Sequence, residues 1–287
     1  MVVSLIAKPG GLSAALAGDL CRALNGGDLV WLSEGEAAEF EIAHFRDMSE
    51  TLRRDADAAG VDLNMVPDVR RKKKLLIADM DSTMIQQECI DEMAAHAGIG
   101  AQVAEITALA MDGKLGFEEA MTERVGLIKG LPLAALETVM ADRITFMPGG
   151  ETLLATMKAH GAYAALVSGG FTFFTERVAA ALGFDENRAN VLIHDGEKLA
   201  GDVERPILGR EAKVEALDDI TARMGLSDAD VLAVGDGAND LGMLTRAGLG
   251  VALHAKPSVQ AQSDVRINHG DLTALLYLQG YSKREFA

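Results

Sequence analysis

Cysteine is scarce: Cys21 and Cys89 are the only two in 287 residues. They stand in unrelated contexts, which excludes a disulfide framework and any cysteine-based metal spacing. Positive charge is also short. Lys and Arg number 27 against 43 Asp and Glu, a formal net charge of -16, so the chain as a whole repels nucleic-acid backbones and anionic lipid. An anionic ligand would need a local concentration of cations. No apolar run reaches the roughly 20 residues of a bilayer span, and "MVVSLIAKPG" puts no basic leader ahead of its apolar residues. Internal repeats and low-complexity tracts are missing. These absences lead us to expect a globular protein of a reducing, cytoplasmic compartment that partners neither nucleic acid nor membrane. What is present is an apolar content of 49%, enough for one large domain or two unequal ones.

The first 70 residues read as a small open-faced sandwich. "VVSLIA" is a strand, and "LSAALAGDLCRAL" after Pro9-Gly10-Gly11 is an amphipathic helix. Two β-rich runs follow in "DLVWLSEGEAAEFEIAHF", turning at Ser33-Glu34-Gly35, and then a helical "MSETLRRDADAAG". The order is β-α-β-β-α. "PDVRRKKK" reads as a linker whose charges form a solvated run.

From residue 71 to 287 the pattern changes. "LLIAD" (75–79), "AYAALVS" (162–168), "DVLAVGD" (230–236) and "LGVAL" (249–253) are almost continuously apolar, as buried parallel strands are. Helical segments at 150–160, 171–182 and 211–224 separate them, which predicts a doubly wound α/β sheet. Residues 86–147 carry helical periodicity and read as a helical insertion after the first strand. "NVLIHDGEKLAGDV" reads as a hairpin turning at Asp-Gly.

Ligands bind an open parallel sheet at the carboxyl ends of its strands. There the sequence places Asp79-Met80-Asp81-Ser82-Thr83, Ser168-Gly169-Gly170 and Gly235-Asp236-Gly237-Ala238-Asn239-Asp240. Lys213 sits in the first turn of the helix "REAKVEAL". Each feature alone has an ordinary explanation. Asp favours turns, Ser-Gly-Gly is a common turn and Lys213 is a common helix lysine. "GDGAND" lacks the alternating ligands and distal Glu of a calcium loop. All four in this order, each at a strand end or helix start, are more than turns require. Carboxylates gathered at one edge repel unless a cation is present, and a hard divalent ion with oxygen ligands, most plausibly Mg²⁺, fits them. Asp79 can then attack phosphorus as a carboxylate, and Asp81 can move protons. Ser168, Lys213 and the N–H groups of Gly169 and Gly170 are placed to balance charge on a transferring phosphoryl group.

The sequence "DMDST", "SGG", Lys213 and "GDGAND" resembles the haloacid dehalogenase superfamily over roughly residues 74–275, and within it the phosphoserine-hydrolysing members. The resemblance implies that Asp79 is the nucleophile and Asp81 the general acid/base. It implies that Asp79, the backbone carbonyl of Asp81 and Asp236 hold Mg²⁺, with Asp240 in support. The insertion 86–147 becomes a cap. Within it Glu88 is similar to the residue that takes the substrate amino group, Arg124 to the carboxylate-binding arginine, and Met111 and Phe117 to apolar residues shielding the site. Asn239 resembles a residue contacting substrate or water. Residues 1–70 are similar in layout to ACT-type amino-acid-sensing modules but carry no ligand motif, so serine sensing, packing and a homodimer through this region stay open. Another small phosphomonoester, transfer to an acceptor other than water, and a regulatory protein acting through residues 1–70 also remain as alternatives. Halide displacement is disfavoured, since it needs neither a second acid nor a metal.

Overall fold

The computed structural model describes residues 1–43, 49–111 and 114–287, without the side chain of Met111. The predicted strand end at 44–45 and helix start at 48 lie outside the described residues. Contacts divide the chain into two compact units. One holds Met1–Ile77, Pro148–Ala164 and Asp218–Ala287, the other Ala78–Met147 and Ala165–Leu217.

The N-terminal elements are β1 (Val2–Ala7), α1 (Ala14–Ala23), β2 (Val30–Ser33), β3 (Ala37–Glu41), α2 (Glu50–Ala58) and β4 (Val61–Val66). Ser13 and Ser49 start the two helices by accepting the N–H groups of Leu16 and Leu52 on their hydroxyls. The antiparallel sheet has the order β2-β3-β1-β4, and Val3, Leu5, Phe40 and Leu63 pack in its core. The last strand, β4, is absent from the β-α-β-β-α order read in the sequence. Its apolar residues Val61 and Leu63 join that core. Its alternate residues, Asp62 and Asn64, are polar but buried. The Asn64 amide bonds both backbone groups of Arg266, at 2.7 and 2.9 Å. The Asp62 carboxylate accepts the N–H groups of Asn268, His269 and Gly270.

In the basic segment after β4, Arg70, Lys72 and Lys74 are exposed as the predicted solvated run requires, but Arg71 and Lys73 are not. Arg71, with its side chain 13% exposed, forms a two-pronged ion pair with Glu39. Lys73, 8% exposed, donates to the Ala229 carbonyl at 2.8 Å.

The remaining elements are β5 (Leu75–Ala78), α3 (Cys89–His96), α4 (Gly100–Met111), α5 (Phe117–Leu127), α6 (Leu133–Asp142), α7 (Gly150–Ala159), β6 (Tyr163–Phe171), α8 (Thr172–Leu182), β7 (Glu186–Asn190), β8 (Leu192–His194), β9 (Leu199–Val203), α9 (Arg210–Met224), β10 (Val231–Gly235), α10 (Leu241–Arg246), β11 (Leu249–Leu253), α11 (Pro257–Gln260), β12 (Val265–Ile267) and α12 (Ala274–Leu278). The six-stranded sheet runs β12-β11-β10-β5-β6-β7, with β10/β11, β11/β12 and β6/β7 parallel. The four predicted apolar runs are β5, β6, β10 and β11. The flanking β7 ("ENRAN") and β12 ("VRI") are too polar or too short to have been read.

The insertion is helical, as α3 to α6. The predicted hairpin is β8–β9, with Gly196 at φ 103° in its turn. Leu199 exchanges backbone hydrogen bonds with Gly130 and Leu131 just before α6, so the hairpin is stitched to the insertion. Among the described residues no helix is long and apolar enough to cross a membrane.

Candidate active site

All four residues of β5 are buried, and Asp79 follows directly. It is 5% exposed and paired at 2.8 Å with the ammonium of Lys213, which is 1% exposed in the first turn of α9. Each charge makes the other tolerable, since an unpaired buried ion would be strongly destabilising. After Asp79 the backbone turns sharply, with Ser82 at φ 55°.

This turn brings Asp81 to the start of α3. There its Oδ1 accepts the Cys89 N–H at 2.9 Å, one of the unpaired donors at the positive end of a helix. Its Oδ2 lies 3.4 Å from the Ser168 hydroxyl, which donates to it. Burial, with the charge of Glu88 next, raises the Asp81 pKa to about 6, against the pull of the Cys89 bonds and Lys213. The two acids therefore have unequal surroundings. One faces a cation and the other is biased toward holding a proton.

The pairing of β6 with β7 proceeds regularly to Val167↔Arg188 and resumes at Phe171↔Asn190. Ser168-Gly169-Gly170 is the irregular stretch between, and it projects its own hydrogen-bonding groups. The Gly170 N–H donates to Ser168 Oγ at 2.8 Å. A Cβ on Gly170 would lie 2.6 Å from Asp81 Oδ2, so no larger residue fits against the acid.

On the cap, Glu88 is exposed at the start of α3 and accepts the Ser82 hydroxyl at 2.7 Å. Arg124, in the last turn of α5, is half-buried and donates through Nε to the Ala120 carbonyl at 3.2 Å. Burial lowers its pKa, opposed by the charges of Asp91, Glu88 and Asp81, so its guanidinium shares one electrostatic neighbourhood with these acids. The Phe117 ring, 38% exposed, lies over two glycines: a Cβ on Gly169 would come within 3.2 Å of it and one on Gly209 within 3.1 Å. The side chain of Met111 lies outside the described residues.

Gly235 ends β10, and the loop after it carries Asp236, Asn239 and Asp240. Asp240 is fully buried, and its Oδ2 accepts the Gly237 N–H at 2.9 Å. A side chain on Gly235 would collide with this carboxylate. Asp79, Asp236 and Asp240 each offer a carboxylate, and hard oxygen donors of this kind suit a hard divalent cation. Asn239 is placed against its own loop, beside Gly237.

Of the residues singled out in the sequence, direct contacts thus link Asp79 with Lys213 and Asp81 with Ser168. Charge links Asp81 to Glu88 and both acids to Arg124. Sequence reading missed Asp91, one helical turn beyond Glu88, whose carboxyl is raised by burial and lowered by Arg124. The i, i+3 spacing of two acids could have pointed to it. It also missed Ser82, which holds Glu88, and Asn190, for which local sequence offers no signal.

A profile of haloacid dehalogenase-like hydrolases matches residues 76–245. A probable phosphoserine phosphatase of Schizosaccharomyces pombe is 42% identical over 245 residues, covering 84% of this chain and 82% of the relative. Among solved structures, a haloacid dehalogenase family hydrolase from Salmonella enterica serovar Typhi superposes with a TM-score of 0.88 at 32% identity, over 96% of this chain and 98% of that one. A phospho-aspartyl intermediate analogue of a phosphoserine phosphatase gives 0.67 at 42% identity, over 72% and 98%. By its matching profile, its relatives and its fold, the chain belongs to the haloacid dehalogenase-like hydrolase family.

Proposed function

We propose that this protein is a phosphoserine phosphatase, hydrolysing O-phospho-L-serine to L-serine and phosphate in the last step of L-serine biosynthesis. The observation that carries the reading is the unequal pair at the end of β5: Asp79 buried against Lys213, and Asp81 with its pKa raised to about 6. An Asp79 carboxylate oxygen attacks phosphorus while the serine oxygen leaves with a proton from Asp81, giving an aspartyl-phosphate. Asp81, now a carboxylate, takes a proton from water. The water oxygen attacks phosphorus, phosphate departs and the Asp79 carboxylate is restored. Lys213, the Ser168 hydroxyl and the N–H groups of Gly169 and Gly170 hold the phosphoryl oxygens.

Mg²⁺ would be held by Asp79, the Asp81 carbonyl and Asp236, with Asp240 in support, and would supply charge that offsets the phosphoryl oxygens. The hard oxygen chemistry of these donors supports this set. Glu88 takes the substrate ammonium, and Arg124 takes its carboxylate with a forked guanidinium. Met111 and Phe117 exclude water, and Asn239 contacts substrate or water. Residues 1–70 form an ACT-like domain and 71–287 the catalytic core, with 86–147 as cap. For the N-terminal domain serine sensing, packing and a homodimer all stay open, and the compartment proposed is the cytoplasm.

A panel of phosphomonoesters, with and without Mg²⁺, tests this reading. Phosphoserine should be the fastest substrate and require the metal. Arg124→Ala should lower its kcat/KM by about 10²-fold, the effect of breaking a charge pair worth about 2–5 kcal/mol, and spare esters without a carboxylate. Faster turnover of a carboxylate-free ester by the unmodified protein would contradict it.

A further inference from the structure

Asn190, the last residue of β7, is 2% exposed and points none of its polar atoms at the reacting groups, yet its amide reaches two of the loops that do. Its Nδ2 donates to the Gly169 carbonyl at 2.9 Å and to the Leu208 carbonyl at 3.2 Å. Its Oδ1 accepts the Leu208 N–H at 2.7 Å. The orientation of the amide is fixed by these partners, since two carbonyls need its N–H groups and one N–H needs its oxygen. The ladder between β6 and β7 skips Ser168-Gly169-Gly170 and resumes at Phe171↔Asn190. The side chain of Asn190 therefore reaches the stretch of β6 that backbone pairing leaves out. Leu208 stands two residues before α9, the helix whose first turn carries Lys213.

We propose that Asn190 is a positioning residue of the phosphoryl site, holding the Ser168–Gly170 backbone and the run-in to α9 at one fixed separation. The inference rests on the phosphatase reading. Ser168 reaches Asp81 and Lys213 reaches Asp79, so the distance Asn190 sets decides whether hydroxyl, N–H groups and ammonium converge on one phosphoryl group. The clamp also fixes Gly169 beside Gly209, the two glycines under the Phe117 ring. Displacements of about 1 Å in such groups cost about 10²-fold in rate.

The test compares the full-length protein with Asn190→Ala, Asn190→Asp and Asn190→Gln in the presence of Mg²⁺. Asp keeps the acceptor and loses both donors, while Gln keeps the amide and displaces it. Should Asn190→Ala not fold, the two polar variants carry the test. The readouts are kcat and KM for phosphoserine, the affinity for inorganic phosphate by calorimetry, and Tm. We expect kcat to fall about 10²-fold in the alanine variant, with KM for phosphoserine changed less than threefold and phosphate binding weakened at least tenfold. Asn187→Ala removes a β7 amide that accepts instead from Thr175. It should lower Tm and leave kcat and phosphate affinity unchanged. Folded Asn190 variants with kcat and phosphate affinity within twofold of the unmodified protein, and only Tm lowered, would overturn the proposal. If the unmodified protein prefers another monoester, the phosphatase reading of substrate fails alone. The phosphate affinities and the rates on that ester then decide the role of Asn190.

Discussion

The end of β5 and the middle of β4 each hide an aspartate, and their partners set them apart. Asp79 is 5% exposed and Asp62 is 4% exposed. Asp62 accepts three backbone N–H groups from residues 268–270. It fastens β4 to a segment some 200 residues away. Asp79 is held instead by a side-chain ammonium. A buried acid satisfied by backbone suits a structural role, and one that faces a buried cation at a strand end suits a chemical one.

The comparison can be broken at either acid. Asp79→Asn should lower kcat on phosphoserine by about 10⁴-fold or more, the scale of losing a covalent nucleophile, while the far-ultraviolet circular dichroism stays unchanged. Gly170→Ala pushes a methyl group into Asp81. It should lower kcat by about 10²-fold, with Tm less affected than in Asp62→Ala. Asp62→Ala should do the reverse, retaining kcat per folded molecule and losing about 1–3 kcal/mol of stability in urea unfolding, because buried N–H groups lose their acceptor.

The two acids also differ in what pH does to them. Burial raises the Asp62 pKa above 3.8 in the folded state. Its proton is therefore bound more tightly in the folded chain than in the unfolded one. The stability this contributes is full below about 3.8 and is lost as pH rises through the folded value. The difference in Tm between the unmodified protein and Asp62→Ala, measured against pH, should shrink over that window. At the other site, Glu88 helps raise the Asp81 pKa toward 6. Glu88→Gln should move the limb of the kcat/KM profile that belongs to Asp81 to lower pH, the smallest of these effects.

The same contrast explains what could be read in the sequence. Strands β5, β6, β10 and β11 were legible because burial on both faces leaves an unbroken apolar run. The residues at their ends were legible because polar side chains there have one common use. Strand β4 escaped because Asp62 and Asn64 look like surface residues until Arg266 and its neighbours are brought beside them. Arg71 and Lys73 escaped for the same reason: their partners are Glu39 and Ala229, far away in sequence. Glu88 and Arg124 were found by resemblance and Asp236 by its place at a strand end, whereas Asn190 belongs to a bulge that only the folded sheet contains.

The central claim is that Asp79 carries the phosphoryl group. It is tested most directly by quenching the protein in acid during turnover of phosphoserine with Mg²⁺, followed by peptide mass spectrometry. The account predicts one phosphoryl group on the peptide containing Asp79, absent from Asp79→Asn. Phosphate release at full rate with that peptide unmodified throughout would contradict it.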